Sequence, residues 1–205
     1  MIELQEENLV AQARRGDQTA FEMLVRRYEK RVLALSCRMC ANPDDGAEAA
    51  QEAFLSAWQG LPSFRGDSGF STWLYRLTCN ACMDHLRREH RRNIHSGFSL
   101  DDEQSRRDFP DPSPTPQERA EQHELREQIE TAMQSVSPEH REVLILREMH
   151  QLSYEEIGQV LSLDAGTVKS RISRARGKLR KILLESGNFS APVPSEQTGK
   201  EGWKK

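Results

Sequence analysis

Long apolar runs are missing from this chain. None approaches the roughly 20 consecutive apolar residues needed to cross a bilayer, so no membrane-spanning segment is expected. The opening "MIELQEENLV" is acidic where a signal peptide is basic and then apolar, which sets the expectation of a cytosolic protein. Apolar–polar alternation at a period of two is also missing, as is any internal repeat, so neither a sheet nor a solenoid is expected. There is no glycine-rich phosphate loop and no convincing acid/base pair, so the chain is not expected to be an enzyme or to take a cofactor or small-molecule substrate. Cysteine is scarce: four in 205 residues. In a reducing compartment these are free thiols, metal ligands or redox sensors, not a disulfide framework.

What is present is helical patterning in two units. From Phe21, apolar residues fall at 21, 24, 25, 28, 32, 35 and 39, one buried stripe of a helix that "ANPDD" ends. A second helix is expected from about Asp44 to Gln59, a Gly/Pro/Ser loop in "GLPSFRGDSG", and a third helix from near Ser71. After a polar stretch, "SPEHREVLILRE" offers Ser137 as N-cap and Pro138 as first helical residue. "SYEE" fits a capping box at Ser153 and Glu156, opening a short helix that ends near Leu161. Asp164 can cap the helix after the turn "SLDAG", and helix, turn and basic helix together form a helix-turn-helix pattern. The fold expected is all-α: two small helical domains, residues 1–92 and 125–186, joined by a flexible acidic, Pro-rich linker at 93–124 and followed by a disordered tail at 187–205. Prolines at 110, 112, 114 and 116 oppose helix in the linker, and residues 100–124 hold eight acids against three bases.

Charge is sorted along the chain. The net charge is −3, yet Thr167 to Leu183 carries seven basic residues and no acidic one. A solvated amphipathic helix would have both signs interspersed; DNA phosphates account for a single sign at the second helix of a helix-turn-helix. Thr167, Lys169, Ser170, Arg171 and Arg174, early in that helix, are the candidates for base and phosphate contact, with Arg176, Lys178 and Arg180 nearer phosphate or solvent. Gly177 inside it has no explanation from the sequence. By contrast "DDGAEAAQEAFLSAWQ" carries four acids and no base, a better protein-binding than DNA-binding surface. The following "SFRGDSGFSTWLYRL" mixes aromatics with arginines, as stacking on unpaired bases requires, although Phe64, Phe70, Trp73 and Tyr75 could equally be core. At 100° per residue Trp73, Arg76, Asn80, Asp84 and Arg87 share a sector, with Leu77 marring it.

"GDQTAFEMLVRRY", "DDGAEAAQEAFLSAW", "SFRGDSGFSTWLYRL", "SPEHREVLILRE", "LSYEEIGQVL" and "GTVKSRISRARGKL" occur here in an order that resembles extracytoplasmic-function (group 4) sigma factors of the sigma-70 family, the sigma-E-like group. The resemblance covers roughly residues 8–92 and 125–186. It implies a factor that binds bacterial RNA polymerase core and directs promoter-specific initiation in a stress response, in the cytoplasm, under an anti-sigma factor that can hold it at the inner membrane face. The first domain would dock on the clamp helices of the largest subunit through Asp44, Asp45, Glu48, Gln51, Glu52, Phe54 and Trp58. The −10 element would be read and opened by Phe64, Arg65, Trp73, Tyr75, Arg76, Asn80, Arg87 and Arg88, with one base flipped into a loop pocket. The −35 element would be read by Thr167, Lys169, Ser170, Arg171, Arg174, Arg176 and Lys178, and the acidic linker would thread toward the RNA exit channel.

The cysteines depart from that family's requirements. They form two C-x-x-C pairs, Cys37/Cys40 and Cys79/Cys82. A zinc site of four cysteines, oxidisable thiols and small buried hydrophobes all fit the spacing, although both pairs fall on helix, unlike the turns usual for structural zinc. The rivals to the sigma reading are a stand-alone helix-turn-helix regulator sensing thiol oxidation or metal, and a polymerase adaptor that never touches DNA.

Overall fold

A computed structural model describes residues 2–96 and 116–186, and every regular element in them is helical. The first unit holds α1 (Ile2–Ala13), α2 (Gln18–Cys40), α3 (Pro43–Gly60), a 3-10 turn (Leu61–Ser63) and α4 (Phe70–Ser96). The second holds α5 (Pro116–Gln134), α6 (Pro138–Leu144), a π turn (Ile145–Met149), α7 (Tyr154–Leu161) and α8 (Ala165–Glu185).

The local chemistry sets the helix ends. Asp17 caps α2 by accepting from the Ala20 N–H at 3.1 Å, and Ala41 in the left-handed region (φ 59°) ends it. Asn42 then caps α3, its Oδ1 accepting from the Asp44 and Asp45 N–H groups at 2.8 and 3.2 Å. Pro43 stands at the first turn, with two carboxylates beside the positive end of the helix dipole. The expected stripe of α2 is buried at Leu24, Tyr28, Val32, Leu35 and Met39. α3 answers it with small residues, Gly46, Ala49, Ala50, Ala53 and Ala57. The helices cross so closely that a Cβ on Gly46 would lie 2.4 Å from the Cys37 Cα.

In the second unit the capping box is complete: Ser153 Oγ accepts from the Glu156 N–H at 3.1 Å, and Glu156 Oε2 accepts from the Ser153 N–H at 2.7 Å. Ser162 in the left-handed region turns the chain between α7 and α8, and the Leu163 N–H donates to the Gly158 carbonyl at 2.9 Å. A Cβ on Gly158 would meet the Leu163 carbonyl oxygen at 2.6 Å, so this turn requires glycine there. Asp164 caps α8 through the Thr167 N–H at 2.8 Å. Ser137 differs from expectation. Its hydroxyl pairs with His140 Nδ1 at 2.7 Å and caps nothing, leaving Pro138 to start α6.

Helix also enters both ends of the expected linker. α4 runs to Ser96 and α5 starts at Pro116, because proline is tolerated in a first helical turn and bars helix only upstream. The linker's prolines at 110, 112 and 114 and the tail beyond Ser186 lie outside the described residues. α1 is not among the helices expected from the sequence. It is fixed to α2 by Glu6, which accepts from Tyr28 Oη at 2.8 Å and Arg27 Nη1 at 3.1 Å.

Two cores result. One lies within the first unit and is aromatic: Tyr28, Phe64, Phe70 and Trp73 with Leu24, Val32, Leu61 and Leu74. The other is continuous across both units, joining Leu35, Met39, Cys40, Cys79 and Cys82 to Val143, Leu144, Ile145, Leu146, Ile157 and Ile172. The buried Arg141 secures that seam. Its Nη1 donates to the Met39 carbonyl at 2.9 Å, while Nε and Nη2 donate to the carbonyls of Met133, Gln134 and Val136 in its own unit.

Candidate nucleic-acid and polymerase interface

Burying the small side of α3 turns its acids outward. Asp44, Glu48, Gln51 and Glu52 are exposed, and Leu55 stands among them 51% exposed. Phe54 and Trp58 are half-buried at the edge of this face, Trp58 packing at a tilt against Phe21 with centroids 5.0 Å apart. Asp45 differs from its neighbours: its Oδ1 lies 3.1 Å from Nε2 of the buried His85, tying α3 to α4. With Glu89 this pair is the set among the described residues whose ligand atoms converge within 4.8 Å. Its geometry is that of a His–carboxylate pair, and the four cysteines form no comparable cluster among those residues.

The loop before α4 brings the aromatics together. Phe64 and Trp73 pack at 4.8 Å, Phe64 and Phe70 meet edge-on at 6.2 Å, and Phe70 and Trp73 lie 5.8 Å apart. Trp73 and Phe64 are thus largely core, 8% and 9% exposed. They still back a cavity of about 480 Å³ whose mouth carries the exposed Arg65 and Arg76. Ser63, Gly66, Asp67, Ser68 and Thr72 complete one side, and Gly158, Gln159 and Ser162 at α7 wall the other. Asn80, Arg87 and Arg88 continue an exposed polar stripe along α4, with Arg87 paired to Asp84 at 3.0 Å. Tyr75 stands apart from this group. It faces the seam, 3% exposed, with its ring 4.9 Å from that of His150.

On α8 the apolar Val168, Ile172 and Ala175 are buried, leaving Lys169, Arg174, Arg176 and Lys178 exposed. Thr167 is held at the helix start by its hydroxyl on Asp164. Ser170 donates to the Thr167 carbonyl at 3.0 Å and accepts from Arg174 Nη2 at 3.1 Å. Two arginines are held by acids of neighbouring elements. Arg171 reaches Glu142 at 3.2 Å, and Arg176 reaches Glu148 at 2.9 and 2.6 Å. Burial pushes the Glu142 carboxyl up to about 7 despite Arg171 beside it. Arg141 and Glu142, consecutive polar residues on the approach to the apolar run "VLIL", are the sequence signal for these contacts, one that the reading by motif passes over.

An acidic face, an aromatic-backed cavity rimmed by arginines and a basic helix-turn-helix give this all-helical protein surfaces suited to a protein partner and to DNA. Comparison with known proteins fixes the kind. Sigma-70 region 2 matches residues 24–92, and sigma-70 region 4 matches residues 126–179. The RNA polymerase sigma-H factor of Pseudomonas aeruginosa is 38% identical over 189 residues, 87% of this chain and 94% of that protein. The ECF RNA polymerase sigma-E factor of Escherichia coli K12 is 36% identical over 186 residues, 85% of this chain and 92% of that one. The chain belongs to the sigma-70 family, as a sigma factor of the extracytoplasmic-function type that binds RNA polymerase core and promoter DNA to start transcription. Among solved structures, CnrH in complex with the cytosolic domain of CnrY is similar at TM-score 0.63 and 28% identity, covering 90% of this chain and 99% of that one. RpoE in complex with the anti-sigma factor NepR from Bartonella quintana matches at TM-score 0.66 and 22% identity, over 80% and 96% of the chains, a likeness of fold.

Proposed function

We propose that the three surfaces divide the work of initiation. The acidic face of α3 (Asp44, Glu48, Gln51, Glu52, with Leu55 and the half-buried Phe54 and Trp58) docks on the clamp helices of the largest polymerase subunit, while Asp45 braces that helix. The cavity beside Phe64 and Trp73 takes one flipped base of the −10 element, with Arg65, Arg76, Asn80, Arg87 and Arg88 on the strand. Lys169, Ser170, Arg174 and Lys178 meet the −35 duplex, and Arg171 and Arg176 hold the helix in position through Glu142 and Glu148 as well as facing DNA. Residues 1–92 and 125–186 serve as the two reading domains, and the acidic linker passes through the polymerase. The factor serves a stress response in the cytoplasm and is restrained by an anti-sigma protein, which can sit at the inner membrane face.

The segregation of charge carries this reading: four acids and no base on one helix, seven bases and no acid on the other segment. Runoff transcription with purified core polymerase on a promoter library tests it. Initiation should require the protein, fall with Glu52→Lys, which reverses charge on the α3 face, and fall with Arg174→Ala. Binding to duplex DNA with core polymerase left inactive would return the stand-alone regulator as the better account.

A further inference from the structure

None of the three surfaces proposed for initiation includes a cysteine, yet three of the four lie at one place. Cys40, Cys79 and Cys82 are 6%, 2% and 0% exposed and share a continuous core with Val143, Leu144, Ile145 and Leu146 of the other unit. The chain beside Cys40 is the point that Arg141 grips across the seam, through the Met39 carbonyl. Tyr75, one helical turn before Cys79, packs its ring at a tilt against His150 across the same seam. Cys37 is different. It is half-exposed, packs against Gly46 within the first unit, and its thiol donates to the Pro43 carbonyl at 3.7 Å.

The docked arrangement cannot be the one that reads a promoter. The −10 and −35 elements lie roughly 25 base pairs apart, about 85 Å of duplex at 3.4 Å per step. Here α7 of the −35 unit walls the cavity proposed for the −10 base. Reading both elements requires the units to part, and parting divides the core that Cys40, Cys79 and Cys82 share with the second unit and takes Glu142 away from Cys79.

We propose that Cys40 and Cys79, with Cys82 beside them, form a modification site for α,β-unsaturated carbonyl electrophiles, closed while the units are docked and open when they part. In the reaction the cysteine sulfur bonds to the β-carbon, the C=C π bond breaks, and the thiol proton ends on the α-carbon; nothing leaves and no oxidant is needed. The docked state blocks this twice over. It denies access, and it holds the Cys79 thiol well above its ordinary range, through burial first and the neighbouring Glu142 second. An adduct also prevents reclosure, because a seam packed this tightly has no room for added atoms. Electrophile exposure thereby favours the open, promoter-reading form. The occasion for parting rests on the sigma reading; the gating of the thiols does not.

Timed labelling with N-ethylmaleimide, read site by site by peptide mass spectrometry, tests this. In the free protein Cys40 and Cys79 should label more than about tenfold more slowly than Cys37, as local opening limits them. Core polymerase should remove that difference while leaving Cys37 unchanged. Arg141→Met should remove part of it without polymerase, and His150→Ala supplies a milder break should Arg141→Met lose helix by circular dichroism. Protein labelled at these sites should show a larger radius of gyration in X-ray scattering. Labelling of Cys40 and Cys79 at the Cys37 rate in the free protein overturns the gating, as does continued protection in a holoenzyme that initiates transcription. An adduct as compact as unmodified protein overturns the hold-open step. Failure of promoter-specific initiation would sink the sigma reading and leave the Arg141→Met and His150→Ala arms to decide the gating.

Discussion

The two units are built from different side chains. Every Phe, Tyr and Trp among the described residues lies in the first unit except Tyr154, and the second is an aliphatic core of Val143, Leu144, Ile145, Leu146, Ile157, Val160, Val168 and Ile172. The difference follows the form of DNA each is proposed to meet. Unpaired bases offer π faces, so the −10 unit gains from a wall of rings behind its cavity. A closed duplex offers edges and phosphates, so the −35 unit needs a rigid frame that presents Arg and Lys at fixed spacing. The frame also disciplines its own charge: Glu142 and Glu148 hold Arg171 and Arg176, while the acids of α3 other than Asp45 face outward without a base on their own helix.

Removing the central ring should break the comparison most severely. Trp73→Ala is expected to cost about 3–5 kcal/mol of stability, measured by urea unfolding. Trp73→Phe should keep the fold and still weaken strand opening, and a premelted −10 template should restore initiation to it. Arg174→Ala should gain nothing from that template. Equal rescue of both variants would erase the functional distinction between the units.

A second break is in pH. Glu142 has a folded pKa of about 7, above its ordinary value of 4.5, so the fold favours its protonated form. Its contribution is complete below about 4.5 and lost as pH rises through 7. His150, across the seam, is lowered to about 4 from 6.5, by burial first and then by Arg31 and Arg38. Its contribution is complete above 6.5 and lost as pH falls through 4. Each is worth on the order of 3 kcal/mol over its full range, and between pH 4.5 and 6.5 they oppose. Thermal melts across that window should be nearly flat for the natural protein. Glu142→Gln should leave stability falling with acid, and His150→Gln should leave it rising. Parallel curves for all three would show that neither group changes its proton affinity on folding.

The arginines of α8 sharpen the comparison further. Arg174, bound to Ser170 within its own helix, can turn to DNA at little cost, whereas Arg171 must leave Glu142. Arg174→Ala should therefore lower −35 discrimination by about 1–3 kcal/mol with little change in stability. Arg171→Ala should also shift the melting temperature, because the buried Glu142 loses its hydrogen-bond partner. Promoter competition and melting curves on the same samples separate the two.

Local chemistry was readable in advance. The stripe of α2, the Ser153/Glu156 box and the Asp164 cap each depend on residues within a few positions, and each is found as expected. What escaped depends on distant packing. Trp73 shares a helical sector with Arg76 and Asn80, yet it is buried because Phe64 of the preceding loop and Phe70 at the start of α4 pack onto it. Tyr75, proposed from the sequence as a −10 contact, faces the seam because the second unit places His150 there. Arg141 reads as an ordinary surface base of "PEHRE", and only the approach of α2 makes it one of the residues that join the units.

Gly177 gives the smallest and most local test. It lies inside α8, exposed, and an added Cβ would meet nothing within 4 Å. No packing requirement in the structure explains it, and a helical glycine costs roughly 1 kcal/mol relative to alanine. Gly177→Ala should therefore raise stability by about 1 kcal/mol, read as a higher melting temperature. The neighbouring Arg176 and Lys178 flank it on the basic face, so the same variant asks whether DNA needs the missing side chain. Unchanged −35 affinity would mean the glycine only loosens the helix. Weaker affinity in a more stable protein would mean that the backbone comes close to phosphate at this point, making α8 a surface shaped by a missing atom as well as by its charges.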